Sequence, residues 1–468
     1  MTTIHWLCRD FRFSDNPALL AATGAGPMAQ VFVIDRALKA QGAASRWRLE
    51  QALRAHDAAL RERCGQGVLI LHGEPAEVLP PLARRIGARA IHASDWPCPA
   101  MRAAQAALEK TLGEIPLHLH PGHLLIHPGM IRTRTGTPYK VYTPFARALR
   151  EAGPDHPCPA PRGIQIVPDL PQGESLDKLN LAPDLHGGAA VLARHALAAG
   201  EANARRRLRD FLDRAAGYGQ NRDRLDRDAG SGLSEALALG EISPRAVWAI
   251  ASERIRAGET TSDDARVFLS ELIWREFAWH LLIDFPQMDR QPWRAEWADF
   301  PWTSGGAALI AWQQARTGIA VVDAGLRQMR VTGRMHNRVR MIAASYLTKH
   351  LLIDWRAGLA HFADSLTDWD PASNAMNWQW VAGSGPDAAP FFRIFNPQTQ
   401  AEKFDPDGSY RRAWLLGWQD SRAQGAQDYF SAIPPGWAVP RAYETGKAEQ
   451  LLAEQRNAAL HAYEMIRQ

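Results

Sequence analysis

Residues 332–352 read TGRMHNRVRMIAASYLTKHLL, and this stretch indicates how the second half of the chain folds. One set of apolar residues recurs at helical spacing: Met335, Val339, Ile342 and Tyr346. A second set, spaced i, i+3, i+4 and i+7, forms a largely polar face: Arg334, Asn337, Arg338 and Met341. Buried arginines and amides are costly unless they are hydrogen-bonded. The stretch therefore predicts one helix with an apolar face in the core and a polar face against a polar ligand.

On either side of this helix, the pattern divides the chain into two kinds of structure. Residues 200–468 are dominated by helical periodicity, so we expect an all-helical domain. Residues 1–130 alternate apolar runs with helical segments such as 45–63, which is typical of a parallel sheet with crossover helices. The apolar runs are Ile4–Cys8, Val31–Ile34, Val68–Leu71 and Ala90–His92. Residues 131–199, rich in Pro, Gly and Asp after about residue 150, are predicted as a linker on the surface.

Composition and charge limit the class of protein. The chain has 468 residues, enough for two domains with a core in each. It contains no apolar run as long as a membrane span and no signal sequence, so we expect a cytoplasmic protein. Its four cysteines are far apart and form no CxxC pair, which argues against a disulfide framework or a zinc ribbon. A net charge of +4 permits nucleic acid as a partner without requiring it.

Tryptophan is concentrated in the second half of the chain. Of the 17 tryptophans, 14 follow residue 240. Bulky core packing is the usual use of this residue, but such clustering suggests a further, shared role for some of them.

Residues 117–129 read LHLHPGHLLIHPG and contain four histidines. A histidine cluster can bind metal. These histidines have no Cys, Asp or Glu nearby, and Pro and Gly interrupt the segment. We therefore predict the end of a strand followed by a loop, and no metal site.

Two further segments carry polar residues suited to a cofactor. Residues 230–245, GSGLSEALALGEISPR, place small and hydroxyl residues before a helix, where backbone N–H groups can bind phosphate; a plain linker is the alternative. In residues 268–282, FLSELIWREFAWHLL, a carboxylate, a ring and a guanidinium share one side of a helix: Glu271, Trp274 and Arg275. The alternative interpretation of Glu271, Trp274 and Arg275 is purely structural, an ion pair beside a packed ring.

Residues 368–380 read DWDPASNAMNWQW. Asp370 and Pro371 predict the N-cap and the first residue of a helix. Asn374 and Trp378 then lie on one face of that helix at i and i+4. Asp368 precedes the cap and is available to pair with an arginine such as Arg340. An acid and an amide at hydrogen-bonding reach of a cofactor ring could tune its protonation and redox state.

Four segments together resemble the DNA photolyase and cryptochrome family over nearly the whole chain, and most closely its cyclobutane pyrimidine dimer photolyases. They are GTPYKVYTPF at 136–145, ELIWREF at 271–277, TGRMHNRVRMIAASYLTKHLLIDW at 332–355 and DWDPASNAMNWQWVAGSGPDAAPFFRIFNPQTQAEKFD at 368–405. The resemblance implies a Rossmann-like α/β antenna domain with flanking helices, joined by a long linker to an all-α domain that binds a U-shaped FAD.

The resemblance also implies roles for individual residues. FAD contacts would come from Tyr218, Gly230, Ser231, Gly232, Leu233, Ser234, Arg275, Asn337, Arg340, Asp368, Trp369, Asp370 and Asn374. Asn374 matches the position that faces flavin N5, where photolyases carry Asn and plant and animal cryptochromes usually carry Asp or Cys. Electrons would pass from the surface to the flavin along Trp302, Trp355 and Trp378. These tryptophans, Asn374 and Glu271 are the residues we expect to serve catalysis.

The implied substrate is UV-damaged DNA in which a cyclobutane pyrimidine dimer is flipped out of the helix. Its contacts would come from Arg222, Glu271, Trp274, Arg334, Asn337, Arg338, Met341, Trp380 and Gln400. The implied reaction is driven by blue light: excited reduced FAD donates an electron to the dimer, the ring splits and the electron returns. Phosphate contacts from arginine would make the affinity salt-dependent. No metal is needed, and we expect a monomer.

The sequence departs from the family at three places. Arg334 stands where most dimer photolyases carry a Trp that stacks on the lesion; arginine can also stack on a planar group. The phosphate loop reads GSGLS where the family commonly has Thr-Ser-Arg-Leu-Ser. Pro97, Pro99 and Ala100 occupy the region where folate-binding relatives carry an Asn-Glu pair. We therefore do not expect methenyltetrahydrofolate as the antenna chromophore. A deazaflavin, a flavin or an empty antenna site all remain open.

The main alternative is a cryptochrome-like blue-light photoreceptor that keeps the FAD and the Trp chain without repair. Asn374 and the lesion-pocket residues favour repair, as does a C-terminus, EQLLAEQRNAALHAYEMIRQ, with the pattern of a core helix. A (6-4) photoproduct enzyme is disfavoured because that branch usually has two adjacent histidines where this chain has His336 and Asn337. A plain FAD oxidoreductase would need a substrate entrance that these motifs do not indicate.

Overall fold

The computed structural model of the chain describes residues 1–185, 187–259, 262–387, 391 and 393–466. A five-stranded parallel sheet forms the N-terminal part. Its strands are β1 Thr3–Trp6, β2 Met28–Ile34, β3 Leu69–His72, β4 Ile91–Ser94 and β5 Leu117–His120. Their order is β3-β2-β1-β4-β5, and Ile4 pairs with Ala29 on one side and Ile91 on the other. The predicted parallel sheet is confirmed, and the histidine segment forms the edge strand β5 with a loop after it.

Helices connect the strands and cover both faces of the sheet. Those in the N-terminal part are α1 Pro17–Ala25, α2 Arg36–Lys39, α3 Ala43–Cys64, α4 Pro75–Ile86 and α5 Pro99–Glu109. β1 and β2 are buried along their whole length because apolar clusters lie on either side of them. Such burial explains why these strands appear in the sequence as continuous apolar runs.

The rest of the described chain is mostly helical, as predicted. Its helices are α6 Tyr142–Ala152, α7 Gly188–His195, α8 Glu201–Asp213, α9 Tyr218–Asn221, α10 Ser234–Leu239, α11 Pro244–Arg256, α12 Ser262–Asp284, α13 Gly306–Gln313, α14 Ala320–Thr332, α15 Asn337–Ser345, α16 Trp355–Ser365, α17 Pro371–Ala382, α18 Pro397–Phe404, α19 Ser409–Trp414, α20 Gln424–Ala432 and α21 Leu452–Met465. In the described part of the chain, no helix is long and apolar enough to cross a membrane.

The segment predicted as a linker contains more regular structure than its composition indicated. Helices α6 and α7 both lie within residues 131–199. Between them, Ile166 makes a parallel bridge to Met28 at the start of β2. The packing of α6 against α12 and of α7 against α14 and α20 stabilises these two short helices.

The predicted continuous helix around Arg334 is wrong at its start. α14 ends at Gly333, which has a left-handed φ of 67°, and α15 begins only at Asn337. His336 is the N-cap of α15, since its Nδ1 accepts the backbone N–H of Arg338 at 3.2 Å. Arg334 therefore lies in a turn between two helices and does not extend the polar face of α15. After Ser345, the helix continues as one π turn, Tyr346–His350.

A buried ion-pair network joins the sheet region to the helical region. Arg48 on α3 donates from Nε to Glu235 at 3.0 Å and from Nη2 to Glu241 at 2.6 Å. All three side chains are almost completely buried. Such charges are tolerated in the interior only because each is paired and hydrogen-bonded. The network also holds α10 against α3, and α10 carries part of the site described next.

Candidate cofactor and substrate site

A large cavity lies among α12, α15 and α17, and residues of α10 and α16 also line it. Its volume, including the open mouth, is about 1300 Å³. Residues singled out in the sequence that line it are Tyr218, Ser231, Leu233, Ser234, Glu271, Arg275, Asn337, Arg340, Met341, Asp368, Asp370, Asn374, Trp378 and Trp380. These residues come from segments far apart in the chain, so the fold brings most of the predicted residues to one place.

Several lining residues were missed in the sequence. They are Leu237, Phe268, Leu272, Ala344, Phe362, Ser373, Asn377 and Val381. Ser373 and Asn377 lie three residues after Asp370 and Asn374, so helical spacing could have identified them. The apolar members share their pattern with ordinary core residues, and only the tertiary structure distinguishes a cavity wall from a core.

Asp370 organises the wall formed by α17. As predicted, it is the N-cap: its Oδ1 accepts the backbone N–H of Ser373 at 2.8 Å. Its Oδ2 accepts the indole N–H of Trp279 at 2.9 Å, and its carbonyl oxygen accepts Asn374 Nδ2 at 3.0 Å. The Asn374 amide is therefore fixed against its own helix with its side chain buried at the cavity wall.

Arg340 and Asp368 form the predicted ion pair, with Nη2 and Oδ2 2.8 Å apart. Arg340 Nε also donates to the carbonyl oxygen of Met335 at 2.9 Å. The second carboxylate oxygen of Asp368 is buried and has no hydrogen-bond partner within the described chain. A buried charged oxygen of this kind requires a donor, so this corner of the cavity is suited to a polar ligand.

The loop before α10 forms another side of the cavity. Ser231, Leu233 and Ser234 line it, whereas Gly230 and Gly232 do not. Gly232 has a left-handed φ of 63°, which turns the backbone toward the start of α10. Tyr218 also lines the cavity, and burial raises the pKa of its hydroxyl to about 12. The hydroxyl therefore stays protonated near neutral pH and can donate a hydrogen bond.

Two of the arginines expected to contact DNA are held by ion pairs. Arg222 pairs with Glu271, and Arg338 pairs with Asp223 at 2.5 Å. Arg338 also lies over the ring of Phe404, 4.7 Å from its centre. Gln400 lies half-buried on α18, outside the cavity lining.

Trp274 and Arg334 are not among the residues that line the cavity. Trp274 stacks on Tyr142. Arg334 donates from Nη2 to the carbonyl oxygen of His195 at 3.0 Å, and its Nε lies 3.9 Å from Glu235. Its guanidinium therefore contacts the end of α7 and the ion-pair network of Arg48. Because Gly333 ends α14 before it, Arg334 does not continue the cavity face of α15.

The three tryptophans of the predicted electron route belong to one apolar region, but their rings have other neighbours. Trp378 lines the cavity, Trp355 is buried and Trp302 is half-buried. Trp378 lies 4.9 Å from the ring of Phe362 and 6.3 Å from that of Trp312. Trp369, expected at the cofactor, packs against the same cluster outside the cavity lining.

Gly358 on α16 determines how closely Trp378 packs. A Cβ at this glycine would lie 2.1 Å from Cη2 of the Trp378 ring. Only a residue without a side chain permits this approach. The ring of Trp378 is thus held between the cavity and α16.

The residues present fit an FAD. Its phosphates require N–H and hydroxyl donors, which Ser231, Ser234 and the backbone before α10 offer. Its flavin ring requires a mixed wall of amide, carboxylate and aromatic groups, which α17 supplies. Asp368 Oδ1 and Arg275 Nε are buried there without a hydrogen-bond partner in the described residues. No group of three His, Cys, Asp or Glu that could hold a metal occurs in that described part.

Comparison with known proteins gives the same interpretation. Residues 3–162 match the family model "DNA photolyase", and residues 268–443 match "FAD binding domain of DNA photolyase". A deoxyribodipyrimidine photo-lyase from Agrobacterium fabrum is 41% identical over 417 residues, covering 88% of this chain and 86% of that protein. One from Thermus thermophilus is 39% identical over 412 residues, covering 87% of this chain and 91% of that protein.

Solved structures agree with the sequence comparisons. A bacterial class III photolyase from Agrobacterium tumefaciens superimposes with a TM-score of 0.88 and 37% identity, covering 100% of this chain and 98% of that chain. A cryptochrome from Synechocystis has a TM-score of 0.83 at 24% identity, covering 98% and 99% of the two chains, which shows a shared fold. From its matched domains and its relatives, the chain belongs to the DNA photolyase family.

Proposed function

We propose that this protein is a deoxyribodipyrimidine photo-lyase that uses blue light and reduced FAD to split cyclobutane pyrimidine dimers in DNA. The observation that carries the proposal is the cavity that Asp368, Arg340, Asp370 and Asn374 line together, with Asp368 Oδ1 buried and without a hydrogen-bond partner in the described residues. Relatives named deoxyribodipyrimidine photo-lyase, 36–41% identical over most of the chain, support the same conclusion.

In this proposal, α17 and α15 hold the flavin. Bound and reduced FAD supplies the light-excited electron that the chemistry requires. Asn374, fixed by Asp370, presents its amide to the ring, and Arg340 compensates negative charge in the cavity. Asp368 fixes Arg340 and keeps one oxygen available for a donor. The protein's contribution is to bind, orient and exclude water.

The substrate occupies the mouth of the cavity. Glu271, Asn337 and Trp380 line it and offer a carboxylate, an amide and an aromatic face to a flipped-out dimer. Met341 adds an apolar contact that excludes water. Arg222, which pairs with the lining residue Glu271, and Arg338, which follows the lining residue Asn337, are the proposed contacts to DNA phosphates. Such contacts position the strand but carry no sequence information.

Trp378, Trp355 and Trp302 are the proposed route by which electrons reach the cavity. Trp378 stands in the cavity wall, and Trp302 is the half-buried member near the surface.

We also infer a cytoplasmic protein that acts as a monomer. Four unpaired cysteines are consistent with a reducing compartment. Size-exclusion chromatography with light scattering would test the oligomeric state.

Repair can be measured directly. The purified, reduced protein is mixed with UV-irradiated oligothymidylate, and the return of the thymine absorbance band is followed under blue light. We expect light-dependent recovery, no recovery in the dark and a large loss in Glu271→Gln. Glu253→Gln, an exposed carboxylate on α11, is the matched control. Bound, photoreducible FAD without any recovery would overturn repair and favour a photoreceptor.

A further inference from the structure

The loop after β5, which the proposed function does not use, is docked on the helix that lines the cavity. His123, Leu125 and Ile126 are buried although they belong to a loop. The backbone N–H groups of Leu125 and Ile126 donate to the carboxylate of Glu276 at 2.9 and 3.1 Å. Glu276 is fully buried on α12 and is thereby satisfied. The sheet region thus contacts α12 one residue after Arg275.

His123 binds Arg275 through two hydrogen-bond acceptors, its carbonyl oxygen and its ring Nε2. Arg275 Nη1 donates to the carbonyl oxygen of His123 at 3.1 Å, and Nη2 lies 3.0 Å from its Nε2. A guanidinium has only donors, so Nε2 must accept and the ring proton must be on Nδ1. Burial, together with the charges of Arg275, Arg12 and Arg9, holds the pKa of His123 well below its usual value. The neutral ring is therefore the form present at neutral pH.

The arrangement fixes the orientation of the guanidinium beside Asp370. Both terminal nitrogens are directed toward His123, while Nε is buried without a hydrogen-bond partner in the described residues and lies 3.8 Å from Asp370 Oδ2. The His123 ring also meets Trp279 edge to face at 4.7 Å, and Trp279 donates to the same carboxylate oxygen. One histidine therefore supports both neighbours of Asp370.

We propose that His123 is a positioning residue of the cofactor site, which fixes the Arg275 guanidinium beside Asp370 at the cavity wall, where its charge acts on the flavin. The proposal rests on the proposed function, because it takes the cavity to bind FAD. It assigns a cofactor-tuning role to a loop of the sheet region, 152 residues before its partner.

The test measures FAD affinity and the visible spectrum of bound flavin. His123→Leu removes the ring acceptor at similar volume, and His123→Gln restores an acceptor at the distance of Nε2. We expect about tenfold weaker FAD binding and a shifted flavin spectrum in His123→Leu, since a charge-assisted hydrogen bond is lost. His123→Gln should bind FAD within about threefold of the native protein. His118→Leu, an exposed histidine on β5, is the matched control and should change neither.

Two further comparisons separate positioning from general damage. In a double-mutant cycle with Arg275→Gln, His123→Leu should cause no further loss of FAD affinity, because a positioning residue has no effect once its partner is gone. Additive losses would overturn the proposal. Should His123→Leu not fold, His123→Asn replaces it, since Asn is too short to reach Arg275 and should bind FAD as weakly. Equal binding by the Gln and Asn variants would also overturn it.

The proposal and the proposed function fail differently. A native protein that binds no FAD would contradict the proposed function. A native protein that binds FAD, with a His123→Leu variant of unchanged affinity and spectrum, would contradict only the role of His123.

Discussion

Trp274 lies flat against Tyr142, with ring centres 3.5 Å apart and ring planes 3° apart. Tyr142 begins α6, in the segment predicted as linker, and its hydroxyl donates to the carbonyl oxygen of Ser270 at 3.1 Å. α6 thus fixes the orientation of a tryptophan that the family resemblance assigns to the lesion pocket. The position of that ring depends on a helix much earlier in the chain.

Because the family resemblance assigns Trp274 to the lesion pocket, removing the ring that orients it should weaken lesion binding. We expect Tyr142→Leu to lower the affinity for UV-damaged oligonucleotide about three- to tenfold, because an aromatic pair contributes about 0.5–1.5 kcal/mol beyond burial. Fluorescence anisotropy with damaged and undamaged DNA would measure it, and FAD content should be unchanged. Tyr142→Phe keeps the ring and should behave as the native protein. If the Phe variant lost as much affinity as the Leu variant, stacking would not be the cause.

The Arg340–Asp368 pair should stabilise both the fold and the cofactor. Asp368→Asn leaves a half-buried arginine without its carboxylate, so the free energy of unfolding should fall by about 1.5–3 kcal/mol and FAD should be lost on dilution. Chemical denaturation and flavin absorbance would measure these effects.

An exposed ion pair provides the control for this prediction. Glu74→Gln removes the partner of Arg36, whose side chain is 86% exposed, and should cost less than about 1 kcal/mol. Equal losses in Asp368→Asn and Glu74→Gln would show that burial of the pair is unimportant.

Arg334 should act on stability and not on lesion binding. Its guanidinium contacts His195 and approaches Glu235, away from the cavity lining. Arg334→Ala should lower the free energy of unfolding by about 1 kcal/mol, the net contribution of one hydrogen bond, with lesion affinity within about twofold of native. Arg334→Trp should bring no gain in repair. A tenfold loss of lesion affinity in Arg334→Ala would show that the side chain swings into the mouth when DNA binds.

Buried neutral histidines should make the protein acid-sensitive. Burial lowers the pKa of His56 to about 3, and its Nδ1 is buried without a partner in the described residues. Because the unfolded chain binds a proton near pH 6.5 and the folded chain does not, stability should fall as the pH drops below about 6.5, by about 2 kcal/mol at pH 5 for this group.

Urea unfolding at pH 7.5, 6 and 5 would measure the slope, and His56→Phe should reduce it. His123 should also lower the free energy of unfolding as the pH falls, since burial lowers its pKa. A free energy of unfolding that stays constant from pH 7.5 to 5 would contradict this prediction.

Short-range signals determined much of the architecture from sequence. The cap at Asp370, the alternation of apolar runs before residue 130 and the periodicity of α12 each depend on residues within one or two turns, and each is found in the structure. Helix-face spacing and cap motifs also identified many residues that line the cavity, and the family resemblance added others such as Tyr218 and Trp380.

Tertiary structure alone decided which of these residues line the cavity together and which lie outside its lining. Gly333 ends α14 and removes Arg334 from the cavity face, while Trp274 contacts Tyr142 of α6. His123 reaches Arg275 only because the loop after β5 docks on α12. Hydrogen bonds and ring contacts between distant segments depend on how the helices pack as a whole. No local pattern encodes that packing, so the sequence predicts the elements and the candidate residues, and the fold selects their partners.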